Sequence, residues 1–417
     1  MNVVMVGPWW FPHGSAASAR MRNLALGLVE GGARAHVLST APRPQVPGEP
    51  MAAAVASYEG VTHECVAPLS ATALGWRDPE RTVPHLRRRP LDRARWFAGV
   101  YASTPFACRR LRELIARGRC DLVFACDRSA LRLLPLARVC RVLGVPSVLD
   151  VTEVSEQLTE RRSPIYWDFA VGTRASPWAF DGHTLITTAL LALYRARGCE
   201  RMLLMPALEA WPGQNPPPPT GRAEFRLAYV GALQPRDAPE LLFEALRMLG
   251  PASPAVALDV IGQYDGTERG ERFRSLCAAD AGLRPRVRFL GALGDEALRN
   301  HLRDVDGLIL TRRDARAEVV SFPTRLVEHL RCGRPVFVSD VGDVPLYLRD
   351  GQDAVLLHPR DPVRVASAIA AVSSRPDRGA AIGRSGREAG ARAFDRGRHA
   401  RRLLDFAASL SGREVAA

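Results

Sequence analysis

Four consecutive prolines, Pro216 to Pro219, lie inside the run Trp211-Pro-Gly-Gln-Asn-Pro-Pro-Pro-Pro-Thr-Gly221. Their fixed φ and missing N–H groups favour a polyproline II spacer and exclude both a helix and a central strand. The chain therefore divides into two halves, and each half repeats one pattern, a short continuously apolar segment followed by a helical one. In the first half the apolar segments are 2–6, 34–39, 121–126, 146–150, 182–187 and 202–205, with helices expected over 17–31, 130–143 and 190–197. In the second they are 225–230, 257–261, 287–290, 307–310, 336–339 and 354–357, with helices over 239–249 and 362–373. Continuous rather than alternating hydrophobicity marks parallel strands covered on both faces. The pattern predicts an α/β protein with two doubly wound sheets in series. The expected boundaries are 1–210 for the first domain, 211–222 for the linker and 223–395 for the second domain, with Gly221 near the junction. Residues 68–97, which include Trp76 and Arg87-Arg88-Arg89, are expected to be irregular with short helices.

At 417 residues each half can bury its own core, and 47% hydrophobic with 24% charged residues is ordinary for a globular chain. A formal charge of +13 attracts nucleic acid, a membrane surface or small anions without choosing among them. The basic residues are dispersed as solvated helix faces, apart from Arg87 to Arg89 and the stretch from Arg384 to Arg402. No base-reading module or continuous stripe appears, so no nucleic-acid partner is expected. A peripheral membrane contact stays open, while no apolar run approaches the ~18 residues of a spanning helix. The eight cysteines form no CxxC pair and sit in apolar segments, where they read as reduced buried thiols rather than disulfides or zinc ligands. No metal and no cofactor are expected. The amino terminus reads as a strand ending at Gly7 rather than a signal sequence, and the expected location is cytoplasmic.

The loop Gly7-Pro-Trp-Trp-Phe-Pro-His-Gly-Ser15 follows the first strand and opens a helix, the usual mouth of a doubly wound sheet. Gly14 permits close approach, and Ser15 with the following amides can receive a phosphate or sugar oxygen. His13 either contacts a substrate or caps the loop. Trp9 and Trp10 form either an acceptor wall or core. Asp127 with Arg128 follows one strand, and Asp150, Thr152 and Glu153 follow another. Their carboxylates suit sugar hydroxyls or an ammonium group, and Asp127, Asp150 and Glu153 are the candidate catalytic acids; helix capping is the competing role for each. No GxGxxG follows the first strand and no Walker A sequence is present, which argues against a nicotinamide enzyme and a P-loop ATPase.

The stretch Ser321-Phe-Pro-Thr-Arg-Leu-Val-Glu-His-Leu-Arg-Cys-Gly-Arg-Pro-Val-Phe-Val-Ser-Asp-Val-Gly-Asp-Val-Pro345 carries most of the chemical signal. It reads as a helix with Leu326, Val327 and Leu330 inward and Glu328 near its amino end, then a Cys-Gly-Arg-Pro turn, a strand and a glycine loop. A carboxylate there can accept two hydrogen bonds from a vicinal diol such as ribose. This stretch resembles the donor-site motif of the family-4 retaining glycosyltransferases. Glu328 takes the place of their second motif glutamate, Cys332-Gly333-Arg334-Pro335-Val336 that of their Cys-Gly-x-Pro-Val, and Val341-Gly342-Asp343 that of their glycine loop. The first motif glutamate falls on Val320, with Glu318 two residues earlier. In Gly231-Ala-Leu-Gln-Pro-Arg-Asp237 the family's arginine and lysine fall on Ala232 and Asp237.

The resemblance implies two Rossmann-like domains facing an interdomain cleft, the GT-B architecture, with 396–417 as a helix crossing back to the first domain. It implies transfer of a sugar, with retention, from a nucleotide diphosphate donor to a small polar acceptor. An aminosugar, an aminocyclitol or another natural-product intermediate is a candidate acceptor. Glu328 and Gly342 would hold the nucleotide, Asp343 the donor sugar, and Arg236, Arg312 and Arg313 would replace the missing phosphate clamp. The acceptor side would use His13, Gly14, Ser15, Arg128 and Thr152. Two other readings remain: a non-catalytic GT-B-like binding or partner-activating subunit, and a peripheral membrane glycosyltransferase.

Overall fold

The computed structural model describes residues 1–13, 16–41, 55–68, 90–154, 164–211, 213, 224–249, 255–314 and 320–410. The chain forms two compact units, Met1–Ala210 with Arg396–Ala417, and Trp211–Asp395. Gly221 and the four prolines lie outside the described residues. So does most of the segment expected to be irregular, but its end differs from expectation: residues 90–97 open a long helix, with Pro90 in the first turn where a missing N–H costs nothing.

The first unit runs β1 (Asn2–Gly7), α1 (Ala16–Glu30), β2 (Arg34–Ser39), β3 (Ala56–Tyr58), β4 (Val61–Cys65), α2 (Pro90–Ala116), β5 (Leu122–Ala125), α3 (Ala130–Val142), β6 (Ser147–Val151), α4 (Pro164–Ala179), β7 (Gly182–Leu185), α5 (Thr188–Arg195) and β8 (Met202–Leu204). Its sheet has the order β3-β4-β2-β1-β5-β6-β7-β8, parallel except for the β3–β4 hairpin. That hairpin turns on Glu59 and Gly60, both at positive φ, the two-residue turn whose twist matches its strands. β1 is central because both its faces are apolar. Val3 and Met5 pack with α1, while Val4 and Val6 join α2 and α3.

The second unit runs β9 (Phe225–Val230), α6 (Pro239–Met248), β10 (Val256–Ile261), α7 (Glu268–Ala279), β11 (Val287–Gly291), α8 (Asp295–Asp304), β12 (Gly307–Leu310), α9 (Arg325–Arg331), β13 (Val336–Ser339), α10 (Val344–Tyr347), β14 (Val355–Leu357), α11 (Pro362–Ser373) and α12 (Pro376–Phe394). The sheet order is β11-β10-β9-β12-β13-β14, and every pairing is parallel. In each sheet the order reverses beside the first strand, between β1 and β5 and between β9 and β12. Connections there leave in opposite directions, so a crevice opens at the carboxyl ends of those strands.

The last helix, α13 (Arg396–Leu410), belongs to the first unit and packs on α1. A side chain at Gly27 would stand 2.6 Å from the Arg396 carbonyl, so glycine is what lets the two backbones approach. Arg396 donates its N–H to the Glu209 carbonyl at 3.0 Å and pairs with Glu30. Ala400, Leu403 and Ala407 complete the core over β1.

Two buried histidines are held neutral. The Ser176 carbonyl can only accept, so His183 Nε2, 3.0 Å away, carries the proton; Nδ1 then accepts from Cys199 Sγ at 3.1 Å. Burial pushes His183 down to about 4. His329, buried in α9 with no hydrogen-bond partner on either ring nitrogen among the described residues, is pushed down to about 3 by burial and by nearby Arg325. The unfolded chain takes up each proton near 6.5, whereas the folded chain resists. Stability is therefore full above that value and declines as pH falls, by up to about 1.4 kcal/mol per pH unit for each histidine. Urea unfolding measured at a series of pH values from 7.5 down to about 4.5 should show this decline. His329→Leu should remove its own share while leaving stability at neutral pH equal or higher. An unchanged slope in that variant would overturn the assignment.

Candidate functional site

In the first unit, the crevice end of the sheet is formed by the segments leaving β1, β5 and β6. Trp9 folds back over Gly7 and is core, 3% exposed, and its carbonyl accepts from the Ser39 hydroxyl. Trp10 is half-buried. His13 is exposed, its ring edge-on to Tyr58 at 5.9 Å. Gly14 and Ser15 lie outside the described residues.

The three carboxylates expected to act as catalytic acids part company here. Asp150 is fully buried and is gripped by Arg20, with Nε to Oδ2 at 2.8 Å and Nη2 to Oδ1 at 2.9 Å; Thr184 donates to Oδ1 at 2.7 Å. Arg20 also donates to the carbonyls of Met205, at 2.9 Å, and Pro206. Such a pair cannot reach a substrate, so Asp150 is structural. Asp127 is likewise occupied. Arg132 approaches both its oxygens, at 2.5 and 2.7 Å, and the N–H groups of Arg128 and Ser129 donate to Oδ1. Burial alone would raise its pKa, but the Arg132 charge and these hydrogen bonds outweigh it and hold the carboxyl below its usual range. A depressed, bidentately paired carboxylate is a poor general base, and Asp127 serves as the amino-terminal anchor of α3. The cap of α3 itself is Ser129, whose hydroxyl accepts from the Arg132 N–H at 3.3 Å, so Asp127 acts on the turn before the helix and on the Arg132 side chain.

Glu153 differs. It meets Arg128 at 2.6 Å across the ends of β6 and β5, with both side chains about one-third exposed. Arg128 also lies over the Phe169 ring at 5.6 Å. Thr152, half-buried, sits beside Glu153 at the exit of β6. Sequence reasoning missed Arg20 and Arg132, the partners that decide these roles. Their only signal was an arginine embedded in an otherwise apolar helix face.

In the second unit, β9, β12 and β13 are adjacent, so their carboxyl ends span about 10 Å along one sheet edge. The segment after β9 forms a one-turn 3-10 helix, Pro235–Asp237, flanked by Leu233 and Ala238 at φ 52 and 43. Both are left-handed without being glycine, a local strain that clusters at functional sites. Asp237, at the family's lysine position, accepts from the Tyr229 hydroxyl at 3.2 Å and the Gln234 N–H at 3.3 Å, so it shapes this turn. The Arg313 N–H donates to the Arg236 carbonyl at 3.0 Å, and Thr311 donates to the Asp237 carbonyl. These bonds bring the exposed Arg236 and Arg313 onto adjoining backbone segments. Arg312 instead turns inward: it is 6% exposed, its N–H donates to Ser339 Oγ at 2.8 Å, and Nη1 reaches Ser321 Oγ at 3.2 Å. It ties the ends of β12 and β13 to the segment before α9.

After β13, Gly342 takes φ 57, and the buried Asp343 stands at the amino end of α10. α9 starts at the same sheet edge, because a crossover helix runs antiparallel to its strands. Leu326, Val327 and Leu330 are buried at 0–1% and Glu328 is exposed in the first turn. Among the described residues, no group of three or more His, Cys, Asp or Glu is placed to hold a metal ion, and no helix is long and apolar enough to cross a membrane.

Residues 224–375, which contain this whole edge, match the family described as glycosyl transferases group 1. The second unit is related to that family. Over 176 residues the chain is 34% identical to a D-inositol 3-phosphate glycosyltransferase of Geodermatophilus obscurus, covering 41% of this chain and 37% of that protein's length. A GDP-mannose-dependent alpha-(1-6)-phosphatidylinositol monomannoside mannosyltransferase of Mycobacterium tuberculosis is 26% identical over 67% of this chain and 73% of its own. Among solved structures, sucrose-phosphate synthase of Thermosynechococcus elongatus superposes with a TM-score of 0.69 at 16% identity, covering 98% of this chain and 99% of that one. HepE of Anabaena, in complex with UDP and glucose, gives 0.65 at 14% identity over 98% and 100%. The fold is GT-B.

The roles of the first-unit carboxylates separate by stability. Asp150→Asn strands a buried guanidinium and should cost about 3–5 kcal/mol in chemical unfolding. Glu153→Gln, at a partly exposed pair, should change stability by less than about 1 kcal/mol. Equal effects from the two variants would contradict this division.

Proposed function

We propose that this protein is a retaining glycosyltransferase that moves a sugar from a nucleotide diphosphate donor to a small polar acceptor. The observation that carries the proposal is the sheet edge of the second unit. There an exposed first-turn carboxylate, two exposed arginines on hydrogen-bonded segments and a left-handed glycine loop stand at the ends of adjacent strands within the segment matching glycosyl transferases group 1.

In this reading Glu328 accepts two hydrogen bonds from the ribose diol, the helix amino end favouring its charge. Arg236 and Arg313 take the diphosphate oxygens, with their guanidinium groups replacing the cations that Ala232 and Asp237 do not supply. Arg312 is a positioning residue, holding the Ser321 segment against β12 and β13. Gly342 holds the nucleotide and Asp343 the donor sugar. As the bond from the anomeric carbon to the phosphate oxygen breaks, its electron pair goes to the diphosphate. The acceptor oxygen or nitrogen bonds to that carbon on the same face, and its proton passes to the leaving phosphate. Stabilising the developing phosphate charge is the main catalytic task, which Arg236 and Arg313 perform. On the acceptor side, Glu153 with Arg128 offers a partly exposed hydrogen-bond acceptor and donor for hydroxyl or amino groups, while Asp127 and Asp150 hold the scaffold. An aminosugar, an aminocyclitol or another natural-product intermediate suits such a pair.

A second reading, a non-catalytic GT-B-like binding or partner-activating subunit, is favoured by Asp237, a carboxylate built into the turn where the family places a lysine. Turnover by the purified chain with a panel of sugar nucleotides separates the two.

Glu328→Gln keeps size and removes charge, and should weaken nucleotide binding by calorimetry while leaving folding unchanged. Arg236→Gln and Arg313→Gln should each lower nucleoside diphosphate affinity and turnover roughly ten- to a hundredfold, with weak nucleoside binding largely retained. Diphosphate affinity that stays at the native level in all three folded variants would remove the proposed donor site.

A further inference from the structure

α4 carries large apolar side chains on both its inward and its outward face. Ile165, Tyr166, Ala170, Thr173 and Ser176 turn inward and are buried. Trp167, Val171 and Trp178, spaced four and seven residues apart, turn outward and are 58%, 50% and 68% exposed. A contiguous exposed apolar patch of this kind marks a surface that meets something other than water. α3 packs beside it and continues the surface with Leu131, Leu134 and Val142, exposed at 62%, 38% and 72%. The two tryptophans are about 16 Å apart along the helix axis, so one flat surface can take both.

Among the described side chains, the charges standing exposed within this apolar strip have one sign. Arg138 and Arg174 stand exposed within it, and Arg109 on the adjoining α2 has an 81% exposed side chain. Arg141 closes the end of α4 by donating to the Trp178 carbonyl at 2.8 Å. Among the described side chains of these three helices the carboxylates are Glu113 and Asp168, and both are engaged. Glu113 pairs with Arg109 and Arg110, and Asp168 accepts from the Tyr101 hydroxyl at 2.7 Å and the Leu131 N–H at 3.1 Å. The chain contains no lysine at all, so every cation it offers is a guanidinium, which binds phosphate bidentately.

We propose that the outer face of α3 and α4 docks on an anionic phospholipid surface. Indole rings place an apolar body and a polar N–H at the level of the headgroups, and arginines extend from an apolar strip to phosphates. A second copy of this chain is disfavoured as the occupant, because a self-complementary contact would set arginines against arginines, and the carboxylates among the described side chains of these helices are already engaged. The net charge of +13 draws the whole molecule toward the same surface.

The test is flotation of the full-length protein with vesicles of phosphatidylcholine alone or mixed equally with phosphatidylglycerol. Two double variants are compared, Trp167→Ser with Trp178→Ser and Arg138→Gln with Arg174→Gln; all four side chains are exposed, and circular dichroism checks that each variant is folded. The native protein should float with the mixed vesicles only, and less so at high salt. The arginine variant should bind roughly thirtyfold more weakly, about fivefold for each charge. The tryptophan variant should lose at least tenfold. Failure to float with anionic vesicles, or equal flotation of the native protein and both variants, would overturn the proposal. So would a concentration-dependent dimer in sedimentation velocity that the tryptophan variant abolishes, which would make this face a self-association surface.

Discussion

Arg20 and Asp150 form the contact on which the first unit depends. Removing both charges from water costs several kcal/mol for each ion, so the pair persists only because every polar atom facing it is answered. The guanidinium spends its donors on both oxygens of Asp150 and on the carbonyls of Met205 and Pro206, while Thr184 takes up further capacity of the carboxylate. The ion pair thus joins α1 and β6 to β7, through Thr184, and to the segment after β8, through Met205 and Pro206. Asn23, one turn along α1, adds a bond to the Leu208 carbonyl at 2.8 Å. The strand ends that carry Arg128 and Glu153 are held by this buried frame, which is why the exposed pair can be polar without loosening the sheet.

The second unit solves its positioning problem differently. Its sheet edge is fixed by backbone and hydroxyl contacts, from Thr311 to the Asp237 carbonyl, from the Arg313 N–H to the Arg236 carbonyl and from the Arg312 N–H to Ser339. These place cations without using their charged ends, so the guanidinium groups of Arg236 and Arg313 remain exposed. Asp259, a buried charge in β10, lies away from that edge and is answered by Arg288 and His301 at 2.8 Å. Desolvation would raise its pKa, yet these two partners lower it, so the site and the structural ion pair stay separate.

Asp237 illustrates how a departure from a motif can be read. At the family's lysine position it carries the wrong sign for a diphosphate, but it accepts from Tyr229 and Gln234 and so shapes the strained turn between Leu233 and Ala238. That turn is what carries Arg236 to the edge. The substitution and the neighbouring arginine are linked through one piece of backbone.

The sequence by itself determined the elements whose information is local. Strands such as 225–230, 307–310 and 336–339 were legible because continuous apolar runs can be buried only between two helical layers. The inward set Leu326, Val327 and Leu330, with Glu328 outward, followed from helical periodicity alone. The hairpin Ala56–Cys65 and the helices α4 and α7 were not legible, since their apolar residues follow no clear period, and α8 and α12 carry too few large apolar residues to stand out. Roles that depend on partners far along the chain were decided only by the tertiary structure. Asp150 finds Arg20 130 positions earlier, and Glu153 finds Arg128 across two strand ends. A carboxylate reads the same in sequence whether it is buried against a guanidinium or standing at a crevice. Burial and the partner's geometry set its charge and reach, and those are properties of the folded chain.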